Sequence, residues 1–577
     1  MSKLNIDQKT IKDLFTDKKS DFLIPDYQRP YAWEEKECQT LWDDVFSFAF
    51  PGNNKDKFND DEEYFLGPIV TFTNENGKME VIDGQQRLTT LMLLLRAFYE
   101  RMLSMQDEES CMTRDLLAQS IWKTNAFGKA DTSKLKIDSE VATDDDKEEF
   151  LNILKNGKTE PKMKSKYALN YRFFEKKIEE FINSFASYLP YLPIRILNNC
   201  ILLPIEAESQ DTALRIFSTL NDRGKSLSDA DIFKAQFYKY FSANGEKDKF
   251  IKEWKELEVM CERIFHPSQG TPMDEIFSRY MYYERALQGN KSTSTDALRK
   301  FYEKDNYTLL KSEETFSNLK DLARFWNDVT IQDDNRFSID VLKRLFVLNY
   351  APNGMWTYIV SVYYIKNRDA NGLLENDTFI SFLDKITAFI FAYALEHPGV
   401  NSLRTPVYPE LINIVQGGNV SFSDFKFNEN TLRSIINTYE FLNGRPVTKS
   451  FLTFWAFSNP NQKLLKLETP FEIEHIYAKS RTEIDKKSIE SLGNKALLES
   501  RINIRASDYK FEDKKKYYNG YTNSKNVKKE ASEIFELSEL ANNYSDFSKV
   551  EIDNRYKRIV DEFFNYLKAN NLLEQSV

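Results

Sequence analysis

Apolar positions along the first hundred residues alternate between short strand-like runs and one long helical run. YFLGPIVTF (64–72) and KMEVID (78–83) read as two strands, and Asn76-Gly77 between them is a strong hairpin signal. The run LTTLMLLLRAFYERM (88–102) is too long and too rich in Leu, Met and Ala for a strand, so a helix is expected there. DGQQR (83–87) therefore falls at a strand-to-helix junction. Residues from about 105 to 165 are polar and rich in Lys, Asp and Glu, which predicts a helical insertion with loops. CILLPIEA (200–207) returns as a strand and leads through DTALRIFSTL to the loop NDRGKSLS. Ser228 and Asp231 then form a capping box that opens the helix DADIFKAQFYKYF.

Beyond residue 240 apolar residues recur at three and four through FIKEWKELEVMCERIF, DEIFSRYMYYERAL and TFISFLDKITAFIFAYALE, the stripe of packed helices. The last part contains one short extended run, TPFEIEHIYA (469–478), and closes on the amphipathic helix VEIDNRYKRIVDEFFNYLKANN. The expected fold class is multidomain and predominantly α with α+β modules. It divides at 1–240, with the helical insertion inside it, 241–400, all helical, and 401–577.

Composition supports that picture. At 577 residues the chain suggests three or four compact units, and 41% hydrophobic residues with 44 Phe and 30 Tyr exclude global disorder. No apolar run approaches the roughly 18 to 20 residues that span a bilayer, and MSKLNIDQKTIKDLF lacks a signal-peptide core. A cytoplasmic protein without a membrane partner is expected. The four cysteines form no CxxC pair, which argues against a zinc knuckle and leaves N and O ligands for any metal. The net charge of -10 argues against a uniformly basic nucleic-acid binder, but residues 479–529 carry 14 Lys and Arg against 7 Asp and Glu. That stretch reads as a phosphate track or as a solvated helical face.

Two constellations carry chemistry. DGQQR at a helix start offers free backbone N–H groups to an anion. Arg87 could clamp phosphate, Gln85 and Gln86 could hydrogen-bond phosphate or base, and Asp83 could hold Mg2+ or orient water, while Gly84 clears the approach. Equally, Asp83 could only cap the helix. Arg29 in IPDYQRPYAW and Arg223 in LNDRGKSLS each stand in a polar loop before a helix, so three loops could converge on one anion. Gly224-Lys225-Ser226 imitates the end of a P-loop, but Thr219 replaces the required glycine.

The second constellation centres on one of only three histidines. His266 and His397 precede prolines in expected loops, whereas His475 ends the extended run FEIEH. Phosphodiester hydrolysis needs an activated water and a neutralised leaving oxyanion, tasks that an imidazole and one Mg2+ can share. His475 is the candidate general base, Asn503 the first candidate metal ligand, and Glu474 a second. Asn494, after Gly493, reads as the residue that fixes the loop aiming His475. Singly, each residue reads as well as a satisfied histidine or a cap.

IPDYQRPYAW, VIDGQQRLTTL and IFSTLNDRGKSLS, in that order, resemble the N-terminal module of the GmrSD-like, modification-dependent (type IV) restriction enzymes, a ParB/sulfiredoxin-like fold. EHIYAKS, LGNKALLESRIN and SDYKFEDKKKYY resemble the HNH-type, ββα-metal-like nuclease domain of the same family, with Ala478 and Lys495 departing from its usual proline and leucine. The resemblance implies nucleoside triphosphate binding by Arg29, Asp83, Gly84, Gln85, Gln86, Arg87 and Arg223, with Asp83, Gln86 and Arg87 taking part in hydrolysis. It also implies a nuclease in which His475, Asn494 and Asn503 are catalytic, Mg2+ is held by Asn503 and Glu474, and Lys495, Arg501, Lys510 and Lys514 meet DNA. The function expected is NTP-regulated cleavage of modified phage DNA by a single-chain effector. The rivals are a non-cleaving DNA-binding regulator and a stand-alone NTPase. The sequence leaves open which nucleotide and modification are read, and whether the chains form a homo-oligomer.

Overall fold

The computed structural model describes residues 5–6, 8–141, 143–209, 212–213, 216, 228–399, 401–481 and 483–575. The chain divides into two compact units, 1–255 and 256–577.

In the first unit, a seven-stranded mixed sheet is built from β1 (Asn5–Ile6), β2 (Lys9–Thr10), β3 (Phe22–Ile24), β4 (Tyr64–Thr73), β5 (Met79–Asp83), β8 (Ile137–Ser139) and β9 (Cys200–Ala207). Its order is β1-β9-β4-β5-β3-β8, with β2 also on β9; β6 (Trp122–Thr124) and β7 (Ala130–Leu135) form a separate ribbon. β4 and β5 pair antiparallel through the Asn76-Gly77 turn, where Gly77 adopts φ +75, as that hairpin signal predicts. The central helix Gln85–Met102 is buried at Leu88, Leu91, Met92, Leu95 and Phe98, and nearly all round its circumference. It packs between neighbouring helices and carries the DGQQR junction at its start, so that junction is anchored in the core. The polar insertion is only partly helical: the helices Glu108–Ile121 and Lys147–Asn156 flank β6, β7 and β8, and β8 joins the main sheet.

The second unit differs from the expected three-part division, because the helices between 256 and 400 pack with the C-terminal part. Gln332 bonds both to the Leu465 carbonyl and to the Leu467 N–H, and Phe346 meets Phe471 edge-on at 6.3 Å. The helix Asn376–Glu396 is long and apolar enough to cross a membrane by composition, contrary to the reading that no such run exists. It is instead a core element of this unit, buried at Phe379, Phe382, Leu383 and throughout Ile386–Leu395, against the helices Ile339–Leu348, Pro446–Ser458 and Lys549–Ala569. A helix apolar on every side is stable wherever neighbours cover it.

Two small antiparallel ribbons complete the unit. β10 (Phe471–His475) pairs with β11 (Lys495–Glu499), and the helix Ser500–Ala506 follows β11 directly. β12 (Tyr521–Thr522) pairs with β13 (Lys528–Lys529) after the helix Phe511–Asn519.

Candidate active sites

At the N-terminal site, β5 ends on Asp83 and the chain turns through Gly84 at φ +88. A side chain there would be strained by the backbone and would crowd Ile69, so the glycine answers a geometric demand. Asp83 accepts from the Gly84 N–H at 2.7 Å. Burial raises its pKa, while the Gly84 N–H, Arg87 and Arg29 pull the other way. Arg87 lies against Gly67, whose missing Cβ makes room for the guanidinium, and donates to the Pro68 carbonyl at 2.9 Å.

The two glutamines turn toward the first motif. Gln85 donates to the Arg29 carbonyl, and Gln86 donates to that of Pro30 while accepting from the Ala32 and Trp33 N–H groups. Gln28 donates to the Ile82 carbonyl. IPDYQRPYAW and DGQQR are thus sewn together, and beside that seam Tyr27, Gln28, Arg29 and Ile82 line a small cleft with Asp231 and Ala235, on the helix that follows the third motif. That helix opens with the Ser228–Asp231 capping box. Arg223 lies outside the described residues. Because Gln86 spends its carbonyl and one amide N–H on the backbone of 30–33, the residue expected to be catalytic is here a strut for that segment.

At the C-terminal site, strand alternation divides β10. Phe471, Ile473 and His475 face one side and Glu472 and Glu474 the other. His475 pairs across the ribbon with Lys495. Its side chain is only 10% exposed, its Nε2 makes no hydrogen bond, and the nearest carboxylate oxygen, Glu490 Oε2, is 3.5 Å away. Lys495 and Lys479 hold that carboxylate at 2.7 and 3.2 Å. Burial, and then the Lys495 charge, push the His475 pKa down to about 4, so the imidazole is neutral at ordinary pH. Burial alone would raise Glu490, yet the two lysines hold it at about 2.

On the opposite face Glu474 is buried against Lys514 at 2.9 Å and accepts from the Tyr518 hydroxyl at 2.7 Å. Lys514 also donates to the His475 carbonyl at 2.6 Å, which ties the helix Phe511–Asn519 to the strand end. Asn503 donates through Nδ2 to Glu472 at 2.6 Å, which leaves its Oδ1 as the open end of the amide. His475 and Asn503 therefore approach β10 from its two faces. Among the described residues no three His, Cys, Asp or Glu side chains cluster as a metal cage. Glu474, buried and held by Lys514 and Tyr518, is not open to a metal, against the expectation; the hard oxygen donors that remain on that face are Glu472 and the Asn503 amide oxygen, which suit Mg2+ keeping most of its shell as water and phosphate oxygen.

Asn494 has a different task. Fully buried, it accepts from the Tyr477 N–H and donates to the carbonyls of Tyr477 and Ile489, and its own carbonyl accepts from Ile476. All its polar groups are spent on closing the loop after His475, so it has none for a metal or substrate.

Residues 11–238 match the family described as GmrSD restriction endonuclease, N-terminal domain, and residues 424–562 match GmrSD restriction endonucleases, C-terminal domain. The chain belongs to the GmrSD restriction endonuclease family. Among curated proteins, none matches it. Membership makes the chain a DNA nuclease of a restriction system, and nucleases of this family generally depend on a metal.

Within this GmrSD chain the four expected DNA-contacting cations separate. Lys510 and Arg501 are exposed. Lys495 and Lys514 are not available to phosphate: both are buried, and their ammonium groups are occupied by the Phe441 carbonyl and Glu490, and by Glu474 and the His475 carbonyl. Lysine adjacency in sequence carries no information on which side of a helix or ribbon each residue faces. Sequence reasoning also missed Arg555. From the helix Lys549–Ala569 its guanidinium donates to the carbonyls of Leu492, Gly493 and Lys495 and pairs with Glu536 at 2.7 Å. A side chain on Gly493 would overlap the Ile552 carbonyl of the same helix, so the glycine permits this close approach. Only the spacing of an arginine in an otherwise amphipathic helix hinted at it.

Proposed function

We propose that this protein is a single-chain restriction effector in which an HNH-type, ββα-metal-like site cuts DNA and a ParB/sulfiredoxin-like module binds and hydrolyses a nucleoside triphosphate to license that cut. The observation that carries the nuclease part is His475: a neutral imidazole at the end of β10 with an unbonded, nearly buried Nε2, backed by a ribbon whose other face gathers Glu474, Glu472 and Asn503. A neutral imidazole beside a carboxylate is the arrangement that a general base uses.

In this reading His475 takes a proton from the attacking water, and Glu490 beside Nε2 stabilises the imidazolium that forms. Asn503, with Glu472 beside it on the other face of the ribbon, would hold Mg2+, which supplies charge neutralisation to the DNA phosphates. Asn494 and Arg555 keep the 476–495 loop closed, so that His475 holds one orientation. Lys510 and Arg501 meet phosphates at the surface. At the other site Asp83 and Arg87, with Arg29 and the Gly84-Gln85 backbone, bind the triphosphate, and Gln86 holds the 30–33 segment against them. The substrate is modified phage DNA and the compartment the cytoplasm.

The test is cleavage of matched modified and unmodified phage DNA, with Mg2+ and a panel of NTPs, by wild type, His475→Ala and Asp83→Ala. Both variants are expected to lose cutting. Retained cutting by His475→Ala removes the nuclease assignment, and loss confined to that variant reduces Asp83 to a structural residue.

A further inference from the structure

Next to the nuclease ribbon a surface extends beyond Lys510 to residues that the nuclease reading does not use. The helix Ser500–Ala506 ends at Ser507, whose φ of +44 reverses the chain into Asp508-Tyr509-Lys510. Asp508 anchors that link by accepting from the Ser480 N–H, and the helix Phe511–Asn519 follows. This helix turns Lys514 and Tyr518 inward to Glu474, which leaves the neighbouring Tyr517 on its flank. Tyr517 lies parallel to Tyr509 at 6.0 Å and 8°, and Tyr521 of β12 braces it edge-on at 5.3 Å. Tyr509 remains 48% exposed.

Cations surround this aromatic row. Lys510 precedes the helix, Lys516 sits over the Tyr517 ring at 5.1 Å, and Lys529 pairs across the small ribbon with Tyr521. Lys525 and Lys528 stand exposed at the ribbon's turn and on its edge. Among the described residues none of these five lysines is paired with a carboxylate, although the chain as a whole is acidic. Oriented tyrosine faces flanked by unneutralised lysines match one chemistry closely: a polynucleotide whose bases are free to stack. Bases in a duplex already stack on one another and present only edges and phosphates, whereas unpaired bases offer their faces.

We infer that Tyr509 and Tyr517, with Lys510, Lys516 and the Lys525–Lys529 ribbon, form a binding surface for a single DNA strand leaving the nuclease site. The inference rests on the nuclease reading for its location, and on the ring geometry and unpaired lysines for its chemistry. The tyrosines stack unpaired bases and the lysines follow the phosphates. The surface thereby favours DNA that is locally opened beside the cut.

The test uses the full chain in EDTA and a fluorescein-labelled oligothymidylate, set against a duplex of equal length, with binding read by anisotropy across a salt series. Tyr509→Ala/Tyr517→Ala is expected to weaken single-strand binding at least tenfold, change duplex binding less than twofold and leave the salt slope unaltered; base stacking on an aromatic ring has roughly that worth. Tyr509→Phe/Tyr517→Phe keeps the rings and is expected to bind like wild type, which separates stacking from misfolding. Lys525→Ala/Lys528→Ala/Lys529→Ala is expected to reduce the salt slope on the single strand by about two. Single-strand binding unchanged by the tyrosine-to-alanine pair, or lost equally for duplex and single strand, overturns the proposal. If wild type cuts DNA while the tyrosine pair is silent, this surface fails and the nuclease reading stands. If no DNA is cut but single-strand binding requires both rings, the surface stands and the nuclease reading fails.

Discussion

Arg555 should control the catalytic loop from a helix more than fifty residues downstream. Its guanidinium is buried, donates to three carbonyls of the 492–495 turn at 3.2, 3.0 and 2.7 Å, and makes a two-pronged pair with Glu536 at 2.7 and 2.8 Å. Arg555→Met keeps most of the side-chain volume but leaves the Glu536 carboxylate buried without its cation. Breaking a buried pair from one side costs about 3–5 kcal/mol. The three carbonyls lose their donor as well, at roughly 1 kcal/mol each. The loss is local, because Asn494 transmits it: the amides of Ile476 and Tyr477 donate to Asn494 and report whether the loop is closed. Hydrogen exchange at those two amides should accelerate by roughly 10⁴ to 10⁶-fold, at about 1.4 kcal/mol per factor of ten. DNA cleavage should fall in parallel. Arg555→Met/Glu536→Met removes the stranded charge but not the carbonyl deficit, so it should recover part of the protection and not all. Unchanged exchange at Ile476 and Tyr477 in a folded Arg555→Met protein would refute the reasoning, as would a double variant worse than the single one.

Gly493→Ala places a methyl group on the Ile552 carbonyl and should cost several kcal/mol, in the range of core overpacking or above, with a lower melting temperature and lost cleavage. Lys514→Met strands the buried Glu474 carboxylate and should cost about 3–5 kcal/mol; Lys514→Met/Glu474→Gln should regain much of it in denaturant titrations. The pH dependence has a definite sign at His475. Its folded pKa of about 4 lies below the ordinary 6.5, so between those values the unfolded chain binds a proton that the folded chain refuses. Stability should therefore fall as pH drops from about 6.5 toward 4, by about 2 kcal/mol at pH 5, and His475→Phe should flatten that limb in unfolding measured at pH 7 and pH 5. Glu490, held at about 2, contributes stability that is present above its ordinary 4.5 and lost only as pH falls from there toward 2, which keeps its limb separate from that of His475.

Local chemistry was readable from the chain itself. Asn76-Gly77 specifies its turn because few residues tolerate the backbone it needs. Ser228 with Asp231 writes a helix start through two reciprocal hydrogen bonds. DGQQR had to lie where a strand pattern gives way to a helical one, and FEIEH had to end an extended run. Each of these depends on neighbours within a few residues, so the order of letters determines it. What needed the tertiary structure depends on facing and distance. Alternation along β10 is legible, but which face meets which helix is not, and that decided that His475 shares a side with Lys495 and Glu490 while Asn503 joins Glu472. The basic run at 479–529 reads as uniform charge, yet packing buried Lys495 and Lys514 as internal counterions and left Lys510, Lys525 and Lys528 in solvent. The apolar helix Asn376–Glu396 became a core element only because other helices surround it. Arg555 met the 492–495 turn because folding closed a long loop, and no local preference encodes a contact between residues so far apart in the chain.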